Sequence, residues 1–566
     1  GLLLAAGLLQ LKPAPGLLGL ILLALGWMAY ARRQSLAEAE RWWLDFLPPL
    51  DPAAFGLAAL ALGGLAFLNT WDFPTYVALA AAGFALSRLV RDGVRPLQAL
   101  KEFLVLGAGL GTAGVLLYLP FYLGFSSQAG GPLPNLVYPT RGAHLWVMFA
   151  PLLAPIFCFL LYRVVKDRAP QLLKNSLLLG LILLLGLLVL AMALGVLISL
   201  LPELGELFLG SFAAGSAAEM LRGALQRRIN QPGGWLTLLG LLVLGLAALW
   251  QRIISAAAGP SAPQTTAPQP APDAAAPNPA PDLAAGRAEP EPEPAQYTDP
   301  AAPPDPDAWP GDAFAVLLGL VGTLLVLAPE FFYLRDLFGW RMNTIFKFYY
   351  QAWLIWSILA AYASVRLLRK LPGTWAAGFG LLLAAVLVAG LVYPPLSLLN
   401  KTNNFNPSSW TLDGSAYYAR NNPAEMAAIQ WLQTAPPGVV AEAVASGGGS
   451  YTEYARAATF SGQPGVLGWR GHQDQWRGQT AVEAIGTRQA DLATLFCSRD
   501  WEAARSVLER YQVRYVFLGS LERIAYAAGS PGCPSGLMEA KLAEHLLPVF
   551  QLGGVTIYQV QDAVDE

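Results

Sequence analysis

About ten apolar stretches, each close to the length of a membrane-spanning helix, constrain this 566-residue chain more than any other feature. A helix needs roughly 20 apolar residues to cross the hydrocarbon core of a bilayer. Charged residues make up only 13% of the chain, whereas soluble proteins carry about 25%. The sequence therefore predicts a multi-spanning α-helical membrane protein. The predicted spans are residues 17–31, 55–69, 73–90, 103–123, 145–165, 176–200, 235–250, 314–327, 345–368 and 375–396.

Basic residues set the predicted orientation, because cytoplasmic loops of membrane proteins carry an excess of Lys and Arg. Four groups of them border predicted spans, and we place all four in the cytoplasm. Alternation then puts residues 69–73, 120–143, 328–347 and the chain after residue 400 outside. Arg227 and Arg228 also fall outside, which conflicts mildly with the rule. They follow a weaker apolar segment, 204–225, which we interpret as lying along the interface.

A segment rich in Pro, Ala, Asp and Glu divides the predicted membrane part. Residues 259–311 cannot bury an apolar core, so we predict a disordered cytoplasmic linker there. It separates an N-terminal transmembrane bundle, residues 1–258, from a three-helix part, residues 312–399. Residues 400–566 alternate between strand and helix patterns and are predicted to form a soluble extracytoplasmic α/β domain.

Several local signals support this C-terminal α/β domain. Asn422 before Pro423 is typical of a helix start, and Asp500 is a second predicted cap. Apolar runs predict strands at 438–444, 515–518 and 555–558. Cys497 and Cys533 also lie here. A disulfide between them would suit an extracytoplasmic location, and two free thiols are the alternative.

The stretch from 328 to 350 places ionisable residues in the short gap between two predicted spans. Glu330, Arg335, Asp336, Arg341 and Lys347 alternate there with aromatic residues. Charges at a membrane boundary are costly unless they pair, stay hydrated or bind a charged ligand. One interpretation is an interfacial belt, with rings at headgroup depth and charges reaching water. The other is a site for a polar or anionic group at the membrane surface.

Within this stretch, Arg341 and Lys347 suit the phosphate of a lipid donor, Arg through bidentate contacts and Lys through a compact charge. In the alternative, Glu330 and Asp336 neutralise these bases as structural ion pairs. Tyr350 begins a span, which also fits an aromatic belt.

Two earlier outer segments offer further candidates. Asp72 follows Trp71 at a helix boundary and is either the N-cap of a helix beginning at Phe73 or an acidic group of a sugar site. Gln128 lies in a small polar loop, 126–131, whose backbone amides suit a phosphate. An ordinary connecting loop is the alternative there.

The segment 471–477 is the densest polar cluster of the C-terminal domain. His472 is a candidate general acid or base, and a structural histidine is the alternative. Gln475 and Arg477 flank Trp476, an arrangement typical of carbohydrate-facing loops.

Charge and metal-ligand composition argue against other classes of protein. The net charge of −2 argues against a nucleic-acid partner. Three His and three Cys residues, with no CxxC or HExxH motif, do not predict a zinc site. The sequence leaves the participation of a divalent metal and the oligomeric state open.

Four blocks of the chain resemble the "YYY" membrane-protein family of Chloroflexi and archaea. They are NTWDFPTY (69–76), PFY with FSSQAGG (120–122 and 125–131), RMNTIFKFYYQAW (341–353) and GWRGHQDQWRG (468–478). The resemblance implies a relation to membrane glycosyltransferases that take sugars from polyprenyl-phosphate donors. It also implies an N-terminally truncated fragment, because in that family a further membrane portion with an acidic outer loop precedes this region.

The leading hypothesis is a membrane glycosyltransferase that moves a sugar from a polyprenyl-phosphate donor to an acceptor on the outer face. The alternative is a non-enzymatic scaffold that binds envelope glycans or lipids in the bilayer. A transporter is less favoured, because the charges cluster at one surface rather than within the spans. The predicted catalytic residues are Asp72 and His472, and the predicted substrate-binding residues are Trp71, Gln128, Glu330, Arg335, Asp336, Arg341, Asn343, Lys347, Tyr350, Gln475, Trp476 and Arg477.

Overall fold

The computed structural model describes residues 50–124, 131–167, 169–202, 204–257, 311–336, 339–407, 409–447 and 449–561. The predicted span 17–31, Gln128 and nearly all of the predicted linker 259–311 lie outside these residues. The described part falls into two compact units. The membrane unit contains the described residues up to 334 and from 340 to 392, except Gly131. The C-terminal unit contains those from 393 onward, with Gly131 and the segment 335–339.

The membrane unit is helical, as its apolar stretches predict. Its helices are α1 (Pro52–Leu68), α2 (Asp72–Arg91), α3 (Pro96–Leu117), α4 (Leu119–Gly124), α5 (Gly142–Lys166), α6 (Leu173–Ser199), α7 (Leu204–Gly210), α8 (Ala217–Asn230), α9 (Gly233–Ala257), α10 (Gly311–Phe331), α11 (Met342–Lys370) and α12 (Gly373–Leu391). In the described part of the chain, eight helices are long and apolar enough to cross a membrane, and α1 is apolar but shorter. This confirms a multi-spanning membrane protein. The weaker segment 204–225 forms the short helix α7 and most of α8 rather than one span.

Close helix packing explains one glycine, Gly322, at the centre of the membrane unit. Trp356 of α11 is fully buried against α10, and its Nε1 lies 3.4 Å from the Gly319 carbonyl oxygen. A Cβ on Gly322 would lie only 2.2 Å from the same nitrogen. Small residues let helices approach closely in membranes, so Gly322 is required for the contact between α10 and α11.

A short antiparallel sheet joins two connections of the membrane unit. Strand β1 (Pro132–Pro134) precedes α5, and strand β2 (Phe332–Leu334) follows α10, with Leu133 opposite Tyr333. The Leu334 amide then donates to Thr344 Oγ1 of α11 at 3.1 Å. The sheet therefore fixes the start of the charged stretch 328–350 against the connection that leads into α5.

Two groups of buried charges mark the ends of α10. Asp312 in its first turn contacts Arg163 and Arg366, and Glu330 in its last turn pairs with Arg341. These two acids are 18 residues apart in sequence, which corresponds to roughly 27 Å at 1.5 Å per residue. Because this length approaches the hydrocarbon thickness of about 30 Å, we expect both groups to lie near the membrane boundaries.

Arg228, one of the two arginines that conflict with the predicted orientation, is a buried structural group. Its Nη2 donates to the backbone carbonyls of Asn135 at 2.6 Å and of Glu330 at 2.9 Å, and the side chain is only 9% exposed. A buried and hydrogen-bonded guanidinium is a structural group rather than a free loop charge. Arg228 therefore carries little information about which end of the bundle faces the cytoplasm.

The C-terminal unit is an α/β fold, which confirms the predicted class. Its elements are α13 (Tyr393–Lys401), α14 (Ser415–Asn421), α15 (Pro423–Thr434), β3 (Val439–Ala441), α16 (Arg456–Ser461), α17 (Arg470–Arg477), α18 (Ala481–Ile485), α19 (Arg488–Cys497), α20 (Trp501–Arg510), β4 (Val513–Leu518), α21 (Ser520–Ala525), α22 (Glu539–His545), β5 (Leu547–Leu552) and β6 (Val555–Gln559). The strand order is β3-β4-β6-β5, with β3 parallel to β4 and the other pairs antiparallel.

Both predicted helix starts in this unit are confirmed, but only one of the two N-cap residues caps its helix with its side chain. Asp500 accepts a hydrogen bond from the Glu502 amide at 3.0 Å, as expected for an N-cap. Helix α15 does begin at Pro423, but the Asn422 side chain makes no capping hydrogen bond. Glu425 in the first turn of α15 instead turns into the core, where it is 4% exposed.

Cys497 and Cys533 form a disulfide across 36 residues, with their Cα atoms 5.2 Å apart. Both cysteines are buried in the core of the C-terminal unit. The sequence leaves open a disulfide or two free thiols, and the structure has the disulfide.

A buried ionic cluster, formed by Arg456, Glu425, Glu442 and Glu522, lies inside the C-terminal unit. Arg456 contacts Glu425 at 2.6 Å, Glu522 at 2.8 Å and Glu442 at 3.6 Å. None of the four residues is more than 4% exposed. Backbone amides complete the hydrogen bonding, including two that donate to the Glu442 carboxylate at 2.9 Å. Three carboxylates thus share one guanidinium, so the protonation of one of them matters for stability.

The ionic cluster should make the stability of the C-terminal unit depend on pH in two opposite ways. Burial raises the pKa of Glu442 from 4.5 to about 7 against the opposing charge of Arg456. Although burial opposes the change, hydrogen bonds from Arg456 lower the pKa of Glu425 to about 2. Above pH 4.5 the unfolded chain loses the Glu442 proton first, so the free energy of unfolding should fall by roughly 3 kcal/mol as the pH rises to about 7.

Glu425 has the opposite effect on the pH dependence of stability. Its contribution to the free energy of unfolding is present above pH 4.5 and should be lost as the pH falls towards 2. Calorimetry of the full chain in detergent, followed between pH 3 and 8, should therefore show greatest stability near pH 4.5. The unfolding transition of the C-terminal unit is identified by reducing the disulfide, because reduction shifts that transition. The variant Glu442→Gln should abolish the decline above pH 4.5. A wild-type transition that rises steadily from pH 5 to 8 would contradict this assignment.

Candidate functional site

A half-buried polar group, which we call the Asp72 cluster, joins the start of α2 to α11. Asp72 Oδ1 accepts hydrogen bonds from Asn69 Nδ2 at 2.8 Å and from Gln351 Nε2 at 2.6 Å. The Tyr76 hydroxyl donates to Gln351 Oε1 at 2.5 Å. Two amide side chains, one from the turn before α2 and one from α11, therefore fix the orientation of one carboxylate.

The predicted N-cap role of Asp72 is wrong. Helix α2 begins at Asp72 rather than at Phe73, and its start carries no side-chain capping hydrogen bond. The carboxylate bonds to side chains of the preceding turn and of α11 instead. The alternative reading of Asp72 as an acidic group of a site remains open.

Lys347 completes the Asp72 cluster. It lies one turn before Gln351 on α11, on the same helix face, and its charge acts on Asp72. Within the described residues, Lys347 has no carboxylate partner within 4 Å, and its side chain is only half-buried. Trp71 packs edge-to-face against the adjacent Phe348, with ring centroids 5.7 Å apart. A carboxylate, an available ammonium group and an aromatic surface thus lie together.

A second group, the Glu330 cluster, is buried and pairs its two opposite charges with each other. Glu330 accepts from Arg341 Nη1 at 2.7 Å, from the Thr140 amide at 2.9 Å and from the Thr140 hydroxyl at 2.5 Å. Tyr349 lies 3.2 Å from the same hydroxyl. Glu330 and Arg341 are only 5% and 6% exposed. This geometry favours the structural ion pair over the phosphate-binding interpretation of Arg341.

The two clusters lie on different sides of α11. Tyr349 of the Glu330 cluster and Gln351 of the Asp72 cluster are two residues apart, so they point in nearly opposite directions. Gln351 is ten residues beyond Arg341, or about 15 Å along the helix axis. The structure thus brings Trp71, Asp72 and Lys347 together and keeps Arg341 with Glu330 in the other cluster.

Comparison with known proteins places this chain in a family. Residues 16–356 match the model of an uncharacterized membrane protein family, DUF2298. The chain belongs to that family. No curated protein and no solved structure matches it.

The DUF2298 match covers both clusters and ends within α11, before the part of the C-terminal unit that begins at Tyr393. It includes three of the four sequence blocks, and the block at 468–478 lies beyond it. Membership of a membrane-protein family is therefore confirmed for the chain, and the relation to glycosyltransferases stays a proposal.

The remaining predicted residues of the charged stretch are less constrained. Asn343 is half-buried in the first turn of α11, and Tyr350 is 61% exposed beside Trp353, as in an aromatic belt. In the C-terminal unit, the backbone amide of the exposed Arg335 donates to the Gly131 carbonyl at 3.0 Å, and Asp336 is half-buried.

In the C-terminal unit, His472 lies in a row of aromatic rings on α17. Its ring stacks between Trp469 and Trp476 at centroid distances of 5.8 and 6.0 Å. Gln475 is half-buried and Arg477 is exposed. The environment of His472 is therefore one of ring packing. In the described residues no group of three or more His, Cys, Asp or Glu side chains is placed to hold a metal ion.

Sequence reasoning missed Asn69, Tyr76 and Gln351 as members of the site. All three lie within the family-like blocks, so the blocks were the available signal. A glutamine inside an apolar span is a second signal, because a polar group at that depth requires a partner. Thr140 of the Glu330 cluster gave no such signal.

Proposed function

We propose that this membrane protein transfers a sugar from a polyprenyl-phosphate donor to an acceptor at the outer face of the membrane. The Asp72 cluster is the observation that carries the proposal. It combines a carboxylate held by two amides with a lysine that has no described carboxylate partner. Two of the four family-like blocks, 69–76 and 341–353, meet at this cluster, and the relation to polyprenyl-phosphate-dependent transferases that the resemblance implies supports the same chemistry.

In the proposed step, Asp72 acts as the general base. It takes the proton of an acceptor hydroxyl while that oxygen forms a bond to the anomeric carbon of the donor sugar. The bond between the anomeric carbon and the phosphate oxygen breaks, and the polyprenyl phosphate leaves with the electron pair. Lys347 stabilises the phosphate charge, and the Trp71 ring offers a face for the sugar. The step inverts the anomeric configuration.

The Glu330 cluster has a supporting role in this proposal. Its ion pair holds the connection between α10 and α11, and so fixes the start of the helix that carries Lys347 and Gln351. Arg341 is accordingly reassigned from phosphate binding to positioning.

We place the C-terminal unit outside the cytoplasm. The disulfide between Cys497 and Cys533 supports this, because such bonds persist in oxidising compartments. The basic groups that border the predicted spans support the same orientation.

Turnover by the full chain in lipid nanodiscs tests the proposal. The chain would be incubated with a polyprenyl-phosphate hexose carrying a radiolabelled sugar and with a glycan acceptor extract. We expect the label to move from the lipid fraction to the acceptor, and empty nanodiscs to show no transfer. Donor binding without any transfer would contradict the enzyme proposal.

The non-enzymatic scaffold remains the second candidate, because exposed aromatic side chains in the C-terminal unit offer a surface for glycans. That function predicts saturable glycan binding in the same nanodiscs, without release of polyprenyl phosphate. The two candidates thus differ in a single measured product.

A further inference from the structure

The C-terminal unit contains an aromatic cleft with a volume of about 330 Å³. Its walls include Tyr417, Tyr451, Phe460 and Trp469, and Glu453 also lines it. Tyr417 and Tyr451 are 62% and 75% exposed. The volume lies at the small end of the roughly 300–1,000 Å³ range of ligand pockets, which suits one or two small rings.

A row of rings extends from this cleft along α17. The planes of Trp469 and His472 are inclined by 22°, and those of His472 and Trp476 by only 9°. Tyr451 joins the cleft to the row, since its ring lies 5.6 Å from Trp469 and 4.9 Å from His472. Trp476 at the end of the row is 64% exposed. Cleft and row therefore form one aromatic surface.

Trp469, where the cleft meets the row, is held in place before any ligand binds. Trp469 Nε1 donates to the backbone carbonyls of Thr452 at 3.1 Å and Tyr454 at 2.5 Å. The indole nitrogen is thus satisfied inside the protein, which leaves the ring carbons for contact. A preorganised surface loses little side-chain freedom when it binds a ligand.

The charges around the cleft favour a neutral ligand. Arg456 contributes to the lining, but three buried carboxylates already surround its guanidinium. It therefore offers no net positive charge to a phosphate or a uronate. Glu453 is exposed at the cleft, and its carboxylate would repel an acid while accepting hydrogen bonds from hydroxyl groups.

We infer that the aromatic surface binds a neutral hexose oligosaccharide. A pyranose ring has a face of C–H groups and an edge of hydroxyl groups. The negative face of an aromatic ring attracts the C–H face, and Glu453 accepts hydrogen bonds from the hydroxyl groups. This inference deepens the proposed function. It rests on that function only for the role of the glycan as acceptor. The binding of the glycan does not depend on turnover.

Glycan titrations of the full chain in nanodiscs test the inference. Maltopentaose, cellopentaose and mannopentaose would each be titrated and followed by saturation-transfer NMR. We expect at least one of them to bind, and Trp476→Ala and Tyr451→Ala to weaken that binding at least tenfold. Trp410→Ala is the matched control, because Trp410 is 74% exposed in the same unit and does not line the cleft. Equal losses in Trp410→Ala and Trp476→Ala would overturn the inference, as would binding of none of the three glycans.

Two further results separate this inference from its rivals. The glycan titrations are run without donor lipid and measure binding alone, so a chain that binds glycan without transferring sugar would contradict only the enzyme proposal. Brominated lipids in the nanodisc test a membrane-contact role for the same rings. The bromine atoms would quench the fluorescence of rings that contact the lipid. If Trp476→Ala removes this quenching and the protein binds no glycan, the inference is overturned in favour of lipid contact.

Discussion

Replacing Arg456 by methionine is expected to unfold the C-terminal unit at temperatures at which the wild-type unit stays folded. The substitution removes the one positive charge that Glu425, Glu442 and Glu522 share at distances of 2.6 to 3.6 Å. Loss of one partner from a buried ion pair typically costs about 3–5 kcal/mol, because the remaining charge stays buried without compensation. In a unit of this size, the calorimetric midpoint should fall by roughly 10 °C.

The matched control is Arg505→Met in the same unit. Arg505 pairs with Glu509 at 2.8 Å, but the two side chains are 51% and 63% exposed. Exposed pairs contribute about 1 kcal/mol or less, so the midpoint should hardly move. Similar shifts in the two variants would show that the Arg456 cluster does not hold the unit together.

Replacing Asp72 by asparagine is expected to lower the rate of sugar transfer by roughly 10²- to 10⁴-fold, the usual contribution of a general base. Asparagine nearly preserves the shape of the side chain and keeps an oxygen that can accept from Asn69 and Gln351. The loss should therefore fall on kcat, with the affinity for the donor nearly unchanged. The loss of rate is measured from single-turnover transfer of the labelled sugar by the full chain in nanodiscs.

Asp51→Asn controls for the change of charge. Asp51 is also an aspartate at a helix start of the membrane unit, where it accepts from the Ala54 amide at 2.9 Å. Asparagine caps helices as well as aspartate does, so this variant should transfer sugar at the wild-type rate. If Asp72→Asn were equally active, Asp72 would not be the base.

The helices of the membrane unit could be predicted from the sequence because apolar length alone determines which segments can span a bilayer. The predicted span 345–368 lies within α11, and 314–327 lies within α10. The roles of the charges could not be predicted in the same way. Glu330 pairs with Arg341 nearby in sequence, but Thr140, which completes the cluster, lies 190 residues away.

The same limit applies to Asp72 and to the C-terminal unit. A Trp-Asp pair before Pro74 indicates a helix start, but the partner that orients Asp72 lies 279 residues later in Gln351. Glu425 fits the local pattern of a first helical turn, whereas its contacts with Arg456 and Ser520 arise from the tertiary fold. In both cases local sequence predicts the element, and long-range packing decides what its polar residues do.

The proposed transfer requires the Asp72 cluster to hold the phosphate of the donor lipid through Lys347. Binding of a fluorescent polyprenyl-phosphate hexose to the full chain in nanodiscs measures this interaction. Lys347→Gln should weaken binding at least tenfold, whereas Lys174→Gln, at an exposed lysine in the first turn of α6, should bind like the wild type. Wild-type affinity in Lys347→Gln would contradict the assignment of the donor site to this cluster.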